Sequence, residues 1–128
     1  MRSRLTMLLL LALSGCGGGL ERAAFDTDLL SYRPNDRVGL VLVNVSDLTL
    51  GVNLCLSQLV QEDRTTAGPA DGEDCQLEAS PLERGQRLDA RKVIPAATPA
   101  GRWRFETTIR LPSGTSEKIF TPPFDVVP

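Results

Sequence analysis

The sequence predicts an all-β fold, a sandwich of about seven short antiparallel strands. Three observations carry this. Downstream of Leu13 the apolar residues recur with a period of two or in short unbroken runs, and helical spacing is hard to find. Clusters of proline, glycine, asparagine and aspartate punctuate those runs at the spacing of turns. The chain shows no internal repeat and no sign of a second folded unit.

The elements follow in order. Ala24 to Tyr32 is expected as a first strand, and Arg33-Pro34-Asn35-Asp36 as a β-turn with proline and asparagine at its centre. Val38 to Val45 is rich in β-branched residues and reads as a strand buried on at least one face. Thr49 to Val60 alternates, which would place Leu50, Val52, Leu54 and Leu56 on one face. Gln61 to Asp74 mixes acids, glycines, threonines and a proline and reads as an exposed loop. Cys75 to Ala79 is expected as a short strand, Ser80 to Gln86 as a turn with Gly85 at a positive φ, and Arg87 to Ile94 as a further strand ended by Pro95. In Gly101 to Leu111, Trp103, Phe105, Thr107 and Ile109 face one way and Arg102, Arg104, Glu106, Thr108 and Arg110 the other. Pro112-Ser113-Gly114 turns the chain into a last strand from Glu117 to Phe120, which Pro122-Pro123 interrupts and Phe124 to Val127 resumes.

The N-terminus has a different grammar. Arg2 and Arg4 precede Leu5 to Leu13, a stretch apolar apart from Thr6. As a helix those residues would rise about 14 Å, against a hydrocarbon core of about 30 Å. That is too short to span a membrane and suits the core of a signal peptide. The run ends in Leu13-Ser14-Gly15-Cys16, which resembles the lipobox of bacterial lipoproteins. The resemblance implies cleavage of residues 1–15 and lipid attachment at Cys16. Several acyl chains anchor stably where one binds only marginally. Residues 16–23, with Gly17-Gly18-Gly19, then form a tether, and 24–128 the folded domain. No aspartate follows Cys16, so the resemblance implies the outer membrane if the cell is Gram-negative.

Composition narrows the rest. The chain carries 14 basic and 16 acidic residues. Residues 1–15 hold two arginines and no acid, leaving 12 against 16, a net charge of −4 after cleavage. The basic residues are scattered, unlike the clustered footprint of a nucleic-acid binder, so no nucleic-acid partner is expected. With Cys16 taken by lipid, Cys55 and Cys75 remain as an even pair. In an oxidising compartment such as the periplasm, such a pair normally forms a disulfide bond.

From Tyr32 onward the chain resembles a bacterial immunoglobulin-like domain family related to intracellular proteinase inhibitors. Tyr32-Arg33-Pro34-Asn35-Asp36-Arg37-Val38 is similar to its Tyr-x-Pro-Gly-Asp-x-Val turn, with an apolar strand and Asn44 after it. Asn53-Leu54-Cys55 is similar to its Asn-Leu-Cys strand, with Cys75 as the implied partner. Ala100-Gly101-Arg102-Trp103-Arg104-Phe105 is similar to its Gly-x-Tyr-Arg-Phe strand, with tryptophan for tyrosine. Asn35 stands where the family has glycine, which the tolerance of asparagine for left-handed backbone allows. Both cysteines precede Trp103, unlike the Cys–Trp–Cys order of antibody domains. The resemblance implies an immunoglobulin-like sandwich and brings no catalytic residue with it.

The chemistry is sparse. The chain has no histidine, which excludes histidine triads, histidine metal sites and an imidazole base. Ser-Lys catalysis needs a buried lysine, and neither Lys92 nor Lys118 lies in a Ser-x-x-Lys frame. Asp26 and Asp28 would share a strand face, and Asp71-Gly72-Glu73-Asp74 is an acidic loop tip; either offers oxygens to Ca²⁺, but neither matches an EF-hand. Trp103 reads as core, and Arg102, Arg104 and Arg110 as a solvated face paired with acids. No catalytic, cofactor-binding or metal site is therefore expected. The expected protein is a non-enzymatic, lipid-anchored module of the cell envelope that binds another envelope protein or supports an assembly. The alternative is a peptidase inhibitor acting through the exposed loop Gln61–Asp74.

Overall fold

The structure, a computed structural model, describes residues 21–61, 67–68 and 78–128. Its strands are β1 (Ala23–Thr27), β2 (Ser31–Tyr32), β3 (Arg37–Asn44), β4 (Leu50–Val52), β5 (Gln58–Gln61), β6 (Ala67–Gly68), β7 (Ser80–Leu82), β8 (Arg87–Val93), β9 (Gly101–Arg110), β10 (Ser116–Phe120) and β11 (Phe124–Val126), with a 3₁₀ turn at Leu54–Leu56. They form a three-stranded sheet, β1-β3-β8, and a larger sheet built along β2-β11-β9-β4-β7, with β10, β5 and β6 attached to it. The fold is all-β, two sheets sharing one core in the manner of a sandwich.

The larger sheet is organised by β9. Its alternation is read correctly from the sequence: Trp103, Phe105, Thr107 and Ile109 are buried. On one edge β9 pairs with β4 (Val52↔Ile109) and then with β5 (Leu59↔Phe105). On the other it pairs with β10 (Lys118↔Thr108) and β11 (Phe124↔Trp103). Each neighbour is thus broken once, and the breaks have distinct chemistry. Between β10 and β11 the buried Thr121 takes over, its N–H donating to the Phe105 carbonyl (2.9 Å) while its hydroxyl accepts from the Phe105 N–H (3.0 Å). Pro122 and Pro123, which lack an N–H, then follow at a point where the ladder needs none.

In the smaller sheet β3 is central. Val38, Leu40, Leu42 and Asn44 point inward, and Val38 stands opposite Lys92 of β8. The turn before β3 is the expected one. Asn35 has φ 74°, the value a type II turn requires after Pro34, and Asp36 caps it by accepting from the Arg33 N–H (2.8 Å).

Four expectations need correction. Ala24–Tyr32 is two strands in different sheets, and β2 runs parallel to β11 rather than antiparallel. Thr49–Val60 is interrupted because the Asn53 carboxamide accepts from the Cys55 N–H and closes a 3₁₀ turn, which turns Leu56 outward at 46% exposure. The strand expected over Cys75–Ala79 begins later: Glu78 and Ala79 are outside strands, residues 75–77 lie outside the described residues, and β7 occupies Ser80–Leu82 where a turn was expected. Pro81 is accommodated there because β7 is the end strand of its path, where one missing N–H is tolerated. The seven expected strands therefore become eleven shorter ones among the described residues.

Asn44 is the polar keystone of the core end. It is fully buried, its amide donates to the carbonyls of Leu48 (2.7 Å) and Leu82 (2.8 Å), and its oxygen accepts from the Ser46 N–H (2.9 Å) and hydroxyl (2.7 Å). Asn44→Ala is expected to lower stability by about 2 kcal/mol, because it orphans the buried Leu82 carbonyl and strips part-buried bonds from Ser46 and Leu48. Asn44→Asp should cost at least as much, since a carboxylate cannot donate to two carbonyl oxygens. Urea unfolding midpoints of the two variants check both statements.

Candidate functional site

Of the residues singled out in the sequence, Cys16, Cys75, Asp71 and Asp74 lie outside the described residues, as does all of Gln61–Asp74 except Gln61 and the pair 67–68. Those two residues pair with β5 (Leu59↔Gly68), so part of the expected loop is strand. Cys55 is half-buried in the 3₁₀ turn.

Asp26 and Asp28 do not form a carboxylate pair. The strand ends at Thr27, and the Asp28 carboxylate turns back to accept from the Tyr32 hydroxyl and from the Gly39 N–H (3.0 Å). The Tyr32 oxygen in turn accepts from the Leu29 N–H (2.7 Å), and the Thr27 hydroxyl donates to the Leu29 carbonyl (2.8 Å). Gly39 leaves room beneath this knot, where a Cβ would sit 3.1 Å from the Asp28 carboxyl carbon and oxygen and push that side chain aside. Burial alone would raise the Asp28 carboxyl, but the bonds from Tyr32 and the backbone N–H groups hold it below its ordinary 3.8. Burial, and then the bond to Asp28, push the Tyr32 hydroxyl up to about 12. Asp28 is thus committed to the fold, and among the described residues no cluster of three or more acidic, cysteine or histidine side chains could hold a metal ion.

The buried lysine that the sequence analysis set as a condition does occur. Lys92 is 2% exposed, and its ammonium donates to the Cys55 carbonyl oxygen, joining β8 to the 3₁₀ turn across the core. Ser57, close by in sequence, is also fully buried. Neither side chain faces solvent, so neither is placed to meet a substrate. The signal for Lys92 was its register: Leu88, Ala90, Lys92 and Ile94 share one face, so a lysine on an inward position was legible. Trp103 is core, with its indole N–H donating to the Pro99 carbonyl (3.0 Å). The arginine face meets an acid at Arg102 but, among the described residues, not at Arg104, which packs on an aromatic ring with its Nε buried. The Arg104 guanidinium lies 3.9 Å from the Phe120 ring centre, and Arg102 lies 4.0 Å from Asp125.

The outer face of the smaller sheet carries a shallow concavity of about 480 Å³, floored at Gly39 and Val41 and walled by Asp28, Arg87, Asp89 and Arg91. Asp28 is held as described, and Asp89 accepts from Arg87 (2.9 Å). Both carboxylates in this hollow are therefore engaged as structural acceptors.

No family model matches the chain, and no curated protein matches it. The fold is similar to that of Spo0M, a sporulation control protein from Bacillus subtilis, with a TM-score of 0.53 and 13% identity over 85% of this chain and 51% of that one. The chain thus spans about half the length of Spo0M. A Niemann-Pick type C2 protein from Japanese carpenter ant matches with a TM-score of 0.46 and 14% identity over 85% of this chain and 96% of that one. A family 123 glycoside hydrolase from Clostridium perfringens matches with a TM-score of 0.41 and 10% identity, over 82% of this chain and 27% of that one. The likeness to Spo0M is one of fold alone, and the other two fall too low to carry weight.

The knot has a pH signature. Tyr32 is held above its unfolded value, so its contribution is complete below pH 10 and disappears as pH rises toward about 12. Asp28 is held below its unfolded value, so its contribution is complete above pH 3.8 and is lost as pH falls through the lowered folded value. Tyr32→Phe is expected to destabilise the fold at neutral pH and to remove the alkaline limb between about 10 and 12. Chemical unfolding across that range, wild type against variant, is the check.

Proposed function

We propose that the chain is a non-enzymatic lipoprotein whose immunoglobulin-like sandwich is anchored in the cell envelope, at the outer membrane if the cell is Gram-negative, and binds another envelope protein. The observation that carries the reading is Leu13-Ser14-Gly15-Cys16 directly after a basic end and a short leucine-rich run. Several fatty chains on one residue give an anchor that a single chain cannot. Cys55 and Cys75 then pair in the oxidising compartment, a bond closing about twenty residues and worth roughly 3 kcal/mol.

Partner binding is supported by Leu29 and Leu30, which are 56% and 76% exposed at the end of β1 opposite the N-terminal link. The Asp28–Tyr32 knot fixes the backbone beneath them, so they are held out rigidly, and rigid apolar side chains make good anchors for a complementary pocket.

Two experiments test the reading. Mass spectrometry of the protein purified from its native membrane should show an acylated Cys16 as the first residue and a Cys55 peptide joined to a Cys75 peptide. Cys16→Ala should leave the membrane fraction; an unmodified thiol or an attached leader in the native protein refutes the anchor. A photocrosslinker at position 30 should recover one specific envelope protein, and Leu29→Ser should weaken that yield; recovery of nothing, or of unrelated abundant proteins alone, counts against a partner at this end.

A further inference from the structure

Two other exposed apolar side chains sit at the opposite end of the domain. Val45 and Leu48 are 52% and 37% exposed in the connection between β3 and β4. This connection is built rather than loose. Asn44 holds it from the core side, Ser46 bridges to Asn44, and the Ser46 hydroxyl accepts from the Leu48 N–H (3.2 Å). It also lies beside the point where the chain enters the fold, since the Val45 N–H donates to the Arg22 carbonyl (3.0 Å) and Asn44 stands opposite Ala23.

Residues 17–22 separate Cys16 from β1. Six residues reach roughly 20 Å at full extension. β9, ten residues long, measures roughly 33 Å at the usual strand rise. The link is therefore shorter than the domain, and a lipid-bearing Cys16 confines the Val45–Leu48 end to the neighbourhood of the membrane surface. The charges at this end carry no net positive excess: Arg22 pairs with Glu117 (3.0 Å) and Arg84 with Asp47 (2.6 Å), while Glu21 and Glu83 stand exposed, as does Arg110, which lies opposite Gly51. Such an end has no cationic surplus to seek anionic lipid. Its attraction is apolar and suits a zwitterionic surface.

We propose that Val45 and Leu48 dock into the headgroup boundary of the membrane that holds the lipid anchor, standing the domain upright with Leu29 and Leu30 facing away. The proposal rests on acylation of Cys16. Because the anchor has already brought the loop to the surface, docking is an intramolecular step and a small apolar contact suffices to set orientation.

The test uses the full acylated protein in phosphatidylcholine vesicles with brominated chains, comparing Leu48→Trp with Leu30→Trp. The native Trp103 is 6% exposed and gives a common background. Quenching should be several-fold stronger for the tryptophan at position 48 than at position 30, and adding Val45→Asp to Leu48→Trp should reduce it. Val45→Trp serves in its place if Leu48→Trp does not fold. Equal quenching at the two ends, or none at position 48, in a sample whose Cys16 is acylated overturns the docking and leaves the anchor standing. A connection made to meet a protein instead gives that second result in protein-free vesicles. An unacylated Cys16 in a chain that does not sediment with vesicles overturns docking and anchor together.

Discussion

The hydrogen bond from Tyr32 to Asp28 governs how this chain becomes two sheets. Between Thr27 and Ser31 the backbone must leave the smaller sheet and join the larger one, within a space that permits no ordinary turn ladder. The Asp28 carboxylate replaces that ladder by gathering the Tyr32 hydroxyl and the Gly39 N–H, while Asp28 donates its own N–H to the Gly39 carbonyl (3.0 Å). Once Tyr32 is fixed, its ring meets Phe124 edge-on at 5.1 Å, and Phe124 stacks on Phe105 at 5.8 Å. This aromatic column runs from the crossing into β9, so a local polar contact and the central strand belong to one cooperative unit.

How much of this was legible depends on whether side chains or backbone decided it. β9 was readable because it is long, alternates strictly and buries one face, so period two had no competitor in Trp103–Ile109, whereas the apolar run of β3 showed a strand but not which face it buries. The turn at Pro34-Asn35 was readable because those two residues fix φ chemically. The breaks were not. Asn53 sits within an alternating run and looks like an outward strand residue, yet its side chain bonds to the backbone two residues on and replaces strand with a 3₁₀ turn. Asp28 deceives in the same way, and Asp26 is left without the neighbour that a continuous strand would have given it. Both cases are short polar side chains competing with the ladder, a contest that periodicity does not register.

The candidate sites followed the same division. Asp28 offered carboxylate oxygens in the sequence and Arg104 read as part of a solvated face, and in the structure they are committed to Tyr32 and Phe120. Lys92, on an inward position of β8, crosses the core to a carbonyl oxygen. A buried ammonium is costly unless its protons are matched, so its placement ties β8 to the 3₁₀ turn that carries Cys55. Polar groups hold the sheets and turns of this domain in register, with the buried Asn44 at one end and, at the other, the buried Lys92 opposite Val38 and the Asp28–Tyr32 pair beside Gly39.

That distribution bears on how such a domain could act. Free in solution, partial burial of Val45 and Leu48 would return on the order of 1–2 kcal/mol, well below the several kcal/mol lost when two bodies associate. A covalent lipid changes the comparison by removing most of that loss, and the same two side chains then suffice to bias one orientation. The bias reaches the far end only if the body between is stiff. Here stiffness comes from bonded polar groups at the two ends of the smaller sheet, the buried Asn44 at one and the exposed Asp28 carboxylate, bonded to the buried Tyr32, at the other. Asn44 fixes the connection beside the chain's entry, and Tyr32 with Asp28 fixes the leucines beyond its exit. Under the proposed anchoring, specificity would lie in what the domain holds away from the membrane, with the fold keeping that surface at a set height and angle.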